Sequence, residues 1–77
     1  MKNRDNLSEI FKIISKSTGI SSKKLDIKTA MHDFERWDSV NHVKIILEIE
    51  KKFKKKINTS QMASLDSVSS IKKFLDN

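Results

Sequence analysis

The chain has 77 residues, with 16 Lys plus Arg against 10 Asp plus Glu, a formal charge of +6, one Gly, no Pro and no Cys. A chain this short holds at most one domain and buries only somewhat more than ~60% of its unfolded surface, so a thin core is expected and a large enclosed active site is not. The missing cysteine excludes a disulfide framework, a thiolate zinc site and a thiol nucleophile in the polypeptide, and nothing requires an oxidising compartment.

Met1 to Ile10 are mostly charged or polar, and the longest unbroken aliphatic run is only Ile45, Ile46, Leu47. A spanning helix needs ~20 apolar residues, so neither a signal peptide nor a membrane span is expected, and the reading is a cytoplasmic protein. One Gly and no Pro leave little material for tight hairpins, which makes an all-α chain the default.

Asn6 can cap a first helix whose third position is Glu9, with Leu7, Ile10, Phe11 and Ile14 at i, i+3, i+4 and i+7. Gly19 supplies the left-handed residue that follows many helix ends, so this helix is expected over about 7–17. From Ile20 to Trp37 no period is sustained, although Ile20, Leu25, Ile27, Met31, Phe34 and Trp37 are spaced to dip into a core. A connection of that length is expected to be ordered, with a short turn at Ser21 to Leu25.

Asp38 or Ser39 caps a second helix over about 39–54, with Val40, Val43, Ile46, Leu47 and Phe53 as its apolar face and Ile45 and Ile49 widening it. Glu48–Lys52 and Glu50–Lys54 are spaced as i,i+4 pairs, each adding ~0.2–0.5 kcal/mol. Thr59 is expected to cap a short helix over about 60–63. Asp66 or Ser67 then caps a last one over about 67–75, with Val68, Ile71, Phe74 and Leu75 inward. No repeat is present, and about five residues at each end are expected to fray. The prediction is one domain over residues 1–77, four helices with the third short and a long connection between the first two.

Ser39 is the first candidate for chemistry. Alone, Asp-Ser ahead of an apolar-periodic stretch is an ordinary helix start. Its context adds a hydroxyl at the end of a long loop, opening the most amphipathic helix. A phosphodiester there would meet free backbone N–H groups and the positive end of the helix dipole.

The run Trp37, Asp38, Ser39, Val40, then Val43, Ile46, Leu47, Glu50 and Phe53, resembles the attachment-site helix of acyl and peptidyl carrier proteins. The resemblance continues through Ile57, Met62, Leu65, Asp66-Ser67-Val68 and Ile71 to Leu75, and upstream through Leu7 to Ile14, Gly19-Ile20 and Met31 to Phe34. It covers nearly the whole chain. The Asp-Ser dipeptide is weak by itself, whereas the full register of apolar positions is specific. The fold it implies is the acyl-carrier type of all-α four-helix bundle.

The resemblance also implies a non-enzymatic carrier. A phosphopantetheinyl transferase would place 4′-phosphopantetheine from coenzyme A on Ser39, and the arm's thiol would hold an acyl or aminoacyl group as a thioester. The absence of cysteine fits, because the prosthetic group brings the sulfur. Asp38 would help position the serine and Val40 would flank the arm, while His42, Val43, Lys44, Leu47 and Met62 would meet partner enzymes. Those partners would be a loading ligase and a downstream transferase or synthase, and the carrier itself would be a monomer. Many carriers shelter short chains between the second and third helices, here at Ile46, Leu47, Ile57, Met62 and Leu65. An apolar stripe at helical spacing usually just packs, and ordinary core is the expectation for those five.

Two departures from the family's pattern stand out. The second helix presents Asn41, Lys44, Lys51 and Lys52 where fatty-acid carriers are acidic, and Arg36-Trp37 stands where a Gly-Ala-like pair is common, with Val40 in place of Leu or Met. They point away from bulk fatty-acid synthesis and toward a stand-alone carrier of a specialised pathway.

Other residues have competing readings. His42 lies three residues after Ser39, the spacing of a nucleophile and base on one helical face, but a hydrolase also needs an oxyanion hole, an orienting group and a pocket. The expectation is an exposed contact near the arm. His32 and Asp33 lack a completing ligand set, so no metal is expected. Lys51, Lys52, Lys54, Lys55 and Lys56 read first as a solvated helix end. The alternative function is a small basic helical nucleic-acid binder, although few groups are placed to read bases or stack on them, and no specific nucleic acid is expected.

Overall fold

The amphipathic stretches become four helices in a computed structural model of the chain, which describes residues 6–76. These are α1 (Asn6–Thr18), α2 (Ser39–Phe53), α3 (Thr59–Ser64) and α4 (Val68–Asp76), with a 3₁₀ turn at Ser22–Lys24. Among the described residues no strand forms, and the one bridge pairs Ala30 with Ser67. The expected fraying at the N-terminus falls outside the described residues, while α4 stays helical through Asp76.

Helix α1 buries Ile10, Ile13 and Ile14. It ends where the Thr18 hydroxyl donates to the Ile14 carbonyl at 2.7 Å and accepts the Ile20 N–H at 3.1 Å. Gly19 follows with φ +84°, and a Cβ there would lie 3.2 Å from the Arg36 guanidinium. The left-handed backbone favours glycine at this position, while the exposed Arg36 side chain could shift to admit a Cβ.

The connection packs down as expected. Ser21 caps the 3₁₀ turn, and Leu25 and Trp37 enter the core. Its middle is stitched to the start of α4: the Met31 N–H donates to the Asp66 carbonyl at 2.7 Å, and the Val68 N–H to the Thr29 carbonyl at 2.9 Å. Asp33 is occupied in accepting the Ala30 N–H at 2.8 Å.

Helix α2 has the expected extent but only part of the expected face. It buries His42, Ile45, Ile46 and Ile49, so that of the seven apolar residues expected on the stripe Ile45, Ile46 and Ile49 are buried. Val40, Val43 and Leu47 are 67%, 42% and 56% exposed, and Phe53 is half-buried. Two apolar stripes overlap on this helix. The one at His42, Ile45, Ile46 and Ile49 turns toward the core that α1 and Trp37 share.

The predicted i,i+4 ion pairs are also replaced. Lys52 reaches Glu9 of α1 at 3.3 Å, Glu48 lies 4.0 Å from Lys51, and Glu50 accepts the Ile57 N–H at 2.8 Å. Interhelical packing and an unpaired loop amide outcompete exposed intrahelical pairs of small value.

The short α3 is capped by Asn58 rather than Thr59, with a reciprocal capping box to Gln61. Ser67 caps α4, accepting the Ser70 N–H at 3.2 Å while its own N–H donates to the Ser70 hydroxyl at 3.1 Å. Val68, Ile71 and Leu75 point inward, and Lys55 lies 5.4 Å from the centroid of the half-buried Phe74 ring. At the far end Lys72 and the Asn6 amide bond the Asp76 carboxylate at 2.6 and 2.8 Å, holding its pKa below the ordinary carboxylate value.

Lys54 ends α2 in the left-handed region, at φ 55° and ψ 43°. A side chain is strained there, so Lys54→Gly is expected to stabilise the fold by ~0.5–1 kcal/mol, read as a rise in the urea midpoint at unchanged slope.

Candidate functional site

The exposed Ser39 is the first residue of α2. Asp38 precedes it as N-cap, its carboxylate accepting the Asn41 N–H at 2.9 Å, and the first intrahelical bond runs from the His42 N–H to the Asp38 carbonyl at 2.8 Å. The Ser39 and Val40 amides therefore lie ahead of the hydrogen-bonded ladder, at the positive end of the helix dipole. The approach to the serine is fixed from several directions. The His32 N–H donates to the Trp37 carbonyl at 3.0 Å with His32 at φ 76°, and the Asn41 side-chain amide donates to the Arg36 carbonyl at 2.7 Å.

His42 is not the exposed contact expected of it. It is 5% exposed, and both ring nitrogens are engaged. The Trp37 indole N–H donates to its Nδ1 at 3.0 Å, which leaves the proton on Nε2, 3.1 Å from the Met62 carbonyl. The rings stack at 30° with centroids 6.1 Å apart, and Trp37 is fully buried. This neutral tautomer joins the connection, α2 and α3 through one side chain. A base for Ser39 would need a free nitrogen facing the hydroxyl, and both are committed elsewhere. The pairing expresses the spacing of an indole donor five residues before a histidine on the buried stripe, a signal that the Ser39–His42 spacing had masked.

A groove of about 450 Å³ opens beside Ser39, lined by Met31, His32, His42, Val43, Thr59, Met62, Ala63 and Asp66 as well as the serine. The pocket envisaged at Ile46, Leu47, Ile57, Met62 and Leu65 does not assemble in that form. Ile46 and Leu65 are buried core, Ile57 and Met62 pack half-buried against it, and Leu47 faces solvent. Leu47 borders two shallow surface depressions, one with Lys16, Lys44 and Lys51 and the other with Lys51, Lys54, Lys55 and Lys56. Ser39, Val40, Val43, Lys44 and Leu47 thus share the exposed side of α2, which the exposed Asp38 caps, while His42 lies beneath it and Met62 across the groove.

These features fit a phosphopantetheine ester: an exposed hydroxyl, leading amides at a helix N-terminus, a capping carboxylate already hydrogen-bonded, and an adjoining groove. The family model for the phosphopantetheine attachment site matches residues 8–75. The chain therefore belongs to the phosphopantetheine-binding carrier family, whose members are non-catalytic and carry 4′-phosphopantetheine covalently. No curated protein matches the chain. Family membership supports the carrier class, a non-catalytic one, over a serine hydrolase. Among the described residues no cluster of three or more His, Cys, Asp or Glu is arranged to hold a metal ion, and no helix is long and apolar enough to cross a membrane.

The indole–imidazole bond gives a direct test of the site's framework. Trp37→Phe keeps an aromatic ring but leaves Nδ1 buried without its donor, and is expected to cost ~1–3 kcal/mol in urea unfolding. A loss confined to a few tenths would show that the bond does not hold the loop.

Proposed function

We propose that Ser39 is the attachment residue and that the protein is a single-domain, monomeric cytoplasmic carrier of acyl or aminoacyl thioesters for a specialised biosynthetic pathway. The observation that carries this reading is the exposed Ser39 hydroxyl opening α2 within the matched region. In the loading step, Ser39 Oγ attacks the phosphorus of coenzyme A that bears pantetheine. The new O–P bond forms as the pyrophosphate P–O bond breaks, adenosine 3′,5′-bisphosphate leaves, and the hydroxyl proton passes to a base on the transferase. Asp38 holds the helix start in place by capping it, and Val40, 67% exposed beside the serine, flanks the arm. Once attached, the arm supplies the terminal thiol that forms the thioester. Incubation with coenzyme A and a broad-specificity phosphopantetheinyl transferase is expected to add one phosphopantetheinyl mass, and Ser39→Ala to abolish the gain. A modified Ser39→Ala protein would refute the assignment.

The loading and receiving enzymes dock on the outward side of α2. Val40, Val43 and Leu47 form an apolar ridge running away from Ser39, flanked by Lys44 and Lys51, with Lys16 contributed by α1. His42 supports this surface from beneath, and Met62 forms the far wall of the groove. Cationic flanks favour encounter with an acidic or neutral partner surface. With a cognate loading enzyme, Lys44→Glu/Lys51→Glu is expected to raise KM several-fold at low salt with kcat little changed, the difference shrinking as salt rises. Unchanged KM at every ionic strength would place docking elsewhere.

A further inference from the structure

We propose that this carrier keeps its cargo outside the helical bundle, so that its substrates are short acyl or aminoacyl groups rather than long alkyl chains. The inference rests on the Ser39 reading above. A chain growing from Ser39 toward the core enters the groove and meets His42 and Met62 in its lining. These two residues are hydrogen-bonded to one another, from the imidazole Nε2 to the carbonyl at 3.1 Å. Immediately behind them the indole N–H of Trp37 holds the other side of the same ring at 3.0 Å. Ile46 and Leu65 are already buried in the core.

Passage of an alkyl chain between α2 and α3 would have to part the Met62 carbonyl from His42. That strips a buried imidazole N–H of its acceptor, and a methylene chain offers no replacement. The apolar gain of admitting the chain is therefore opposed by an unpaired polar group at the entrance. The groove outside the latch has a different character. It is shallow and its exposed lining is mostly apolar, with Met31, Val43 and Ala63 beside His32, Ser39, Thr59 and Asp66. A short acyl group finds a shallow, mostly apolar wall there without parting the latch.

The test loads the full chain with acetyl-, butyryl-, hexanoyl- and octanoyl-pantetheine from the corresponding coenzyme A thioesters, each loading verified by intact mass. Failure to load any of them counts against the Ser39 reading, whereas the cargo inference is decided by the loaded forms. Two readouts follow: the rate of thioester cleavage by hydroxylamine, and the emission of Trp37, the sole tryptophan. In the native protein, cleavage rates are expected to agree within about twofold across the series and Trp37 emission to stay constant, as for a thioester that remains in solvent. Protection rising to about tenfold for octanoyl, equivalent to ~1.4 kcal/mol of sequestration, would overturn the proposal. So would a progressive emission shift with chain length. His42→Ala removes the latch, and length-dependent protection is expected to appear in it. Trp37→Phe, read by hydroxylamine alone, loosens the same ring from the other side and covers the case in which His42→Ala does not fold. Flat rates in the folded variants would show that the latch is not what excludes the chain.

Discussion

The site depends on one imidazole that accepts a hydrogen bond from the connection and donates one to α3. Helix α3 has six residues, too few to be stable alone, and its placement comes from its end caps and from contacts with its neighbours. Among these, the bond from His42 Nε2 to the Met62 carbonyl joins it directly to α2, and Glu50 anchors the chain just before it through the Ile57 amide. On the other side, the Trp37 indole fixes the last turn of the connection two residues ahead of Ser39. The geometry at the serine is thus set by a side chain one turn further along the helix.

The elements themselves were largely readable from residue spacing. The α1 stripe, the Gly19 stop, the ordered connection with its turn near Ser22 and the start of α2 follow from periodicity and capping chemistry. What spacing could not decide was which of two overlapping stripes on α2 turns inward. Val40, Val43 and Leu47 satisfy helical periodicity as well as His42, Ile45 and Ile49 do, and only the position of α1 and Trp37 selects between them. The same tertiary information explains His42. A histidine counted as polar is placed outward by pattern alone, and burial becomes favourable once an indole donor and a carbonyl acceptor arrive on opposite edges of the ring. Thr59 and Asn58 are both chemically able to cap α3, and the spacing of Asn58 to Gln61, that of a capping box, favours Asn58.

The charge acquires meaning only when sorted by face. Lys52 is drawn into an interhelical pair with Glu9 and Lys55 lies over Phe74, so part of the lysine run supports the fold. Lys44 and Lys51, with Lys16 from α1, instead border Leu47 on the outward side. An isolated exposed leucine means little, but Val40, Val43 and Leu47 follow one another along the helix that begins at Ser39. A mixed ridge of this kind supplies long-range attraction and short-range apolar contact at the same place, which suits brief encounters with several partners better than one permanent interface.

The proposed function also gives a reason for the unusual investment in the connection. An attached arm must be mobile to visit other active sites, and that mobility is useful only if its root presents the same orientation to each enzyme. The Ala30–Ser67 bridge, the Met31–Asp66 and Val68–Thr29 backbone bonds and the Asn41–Arg36 bond hold the segment before Ser39 against both α4 and α2. The same stitching that fixes the root also closes the interior, because Trp37 fills the space behind the groove while its indole holds the latch. In a domain with so thin a core, a rigid root and an open interior compete for the same volume. Here the indole occupies it, and mobility is left to the arm.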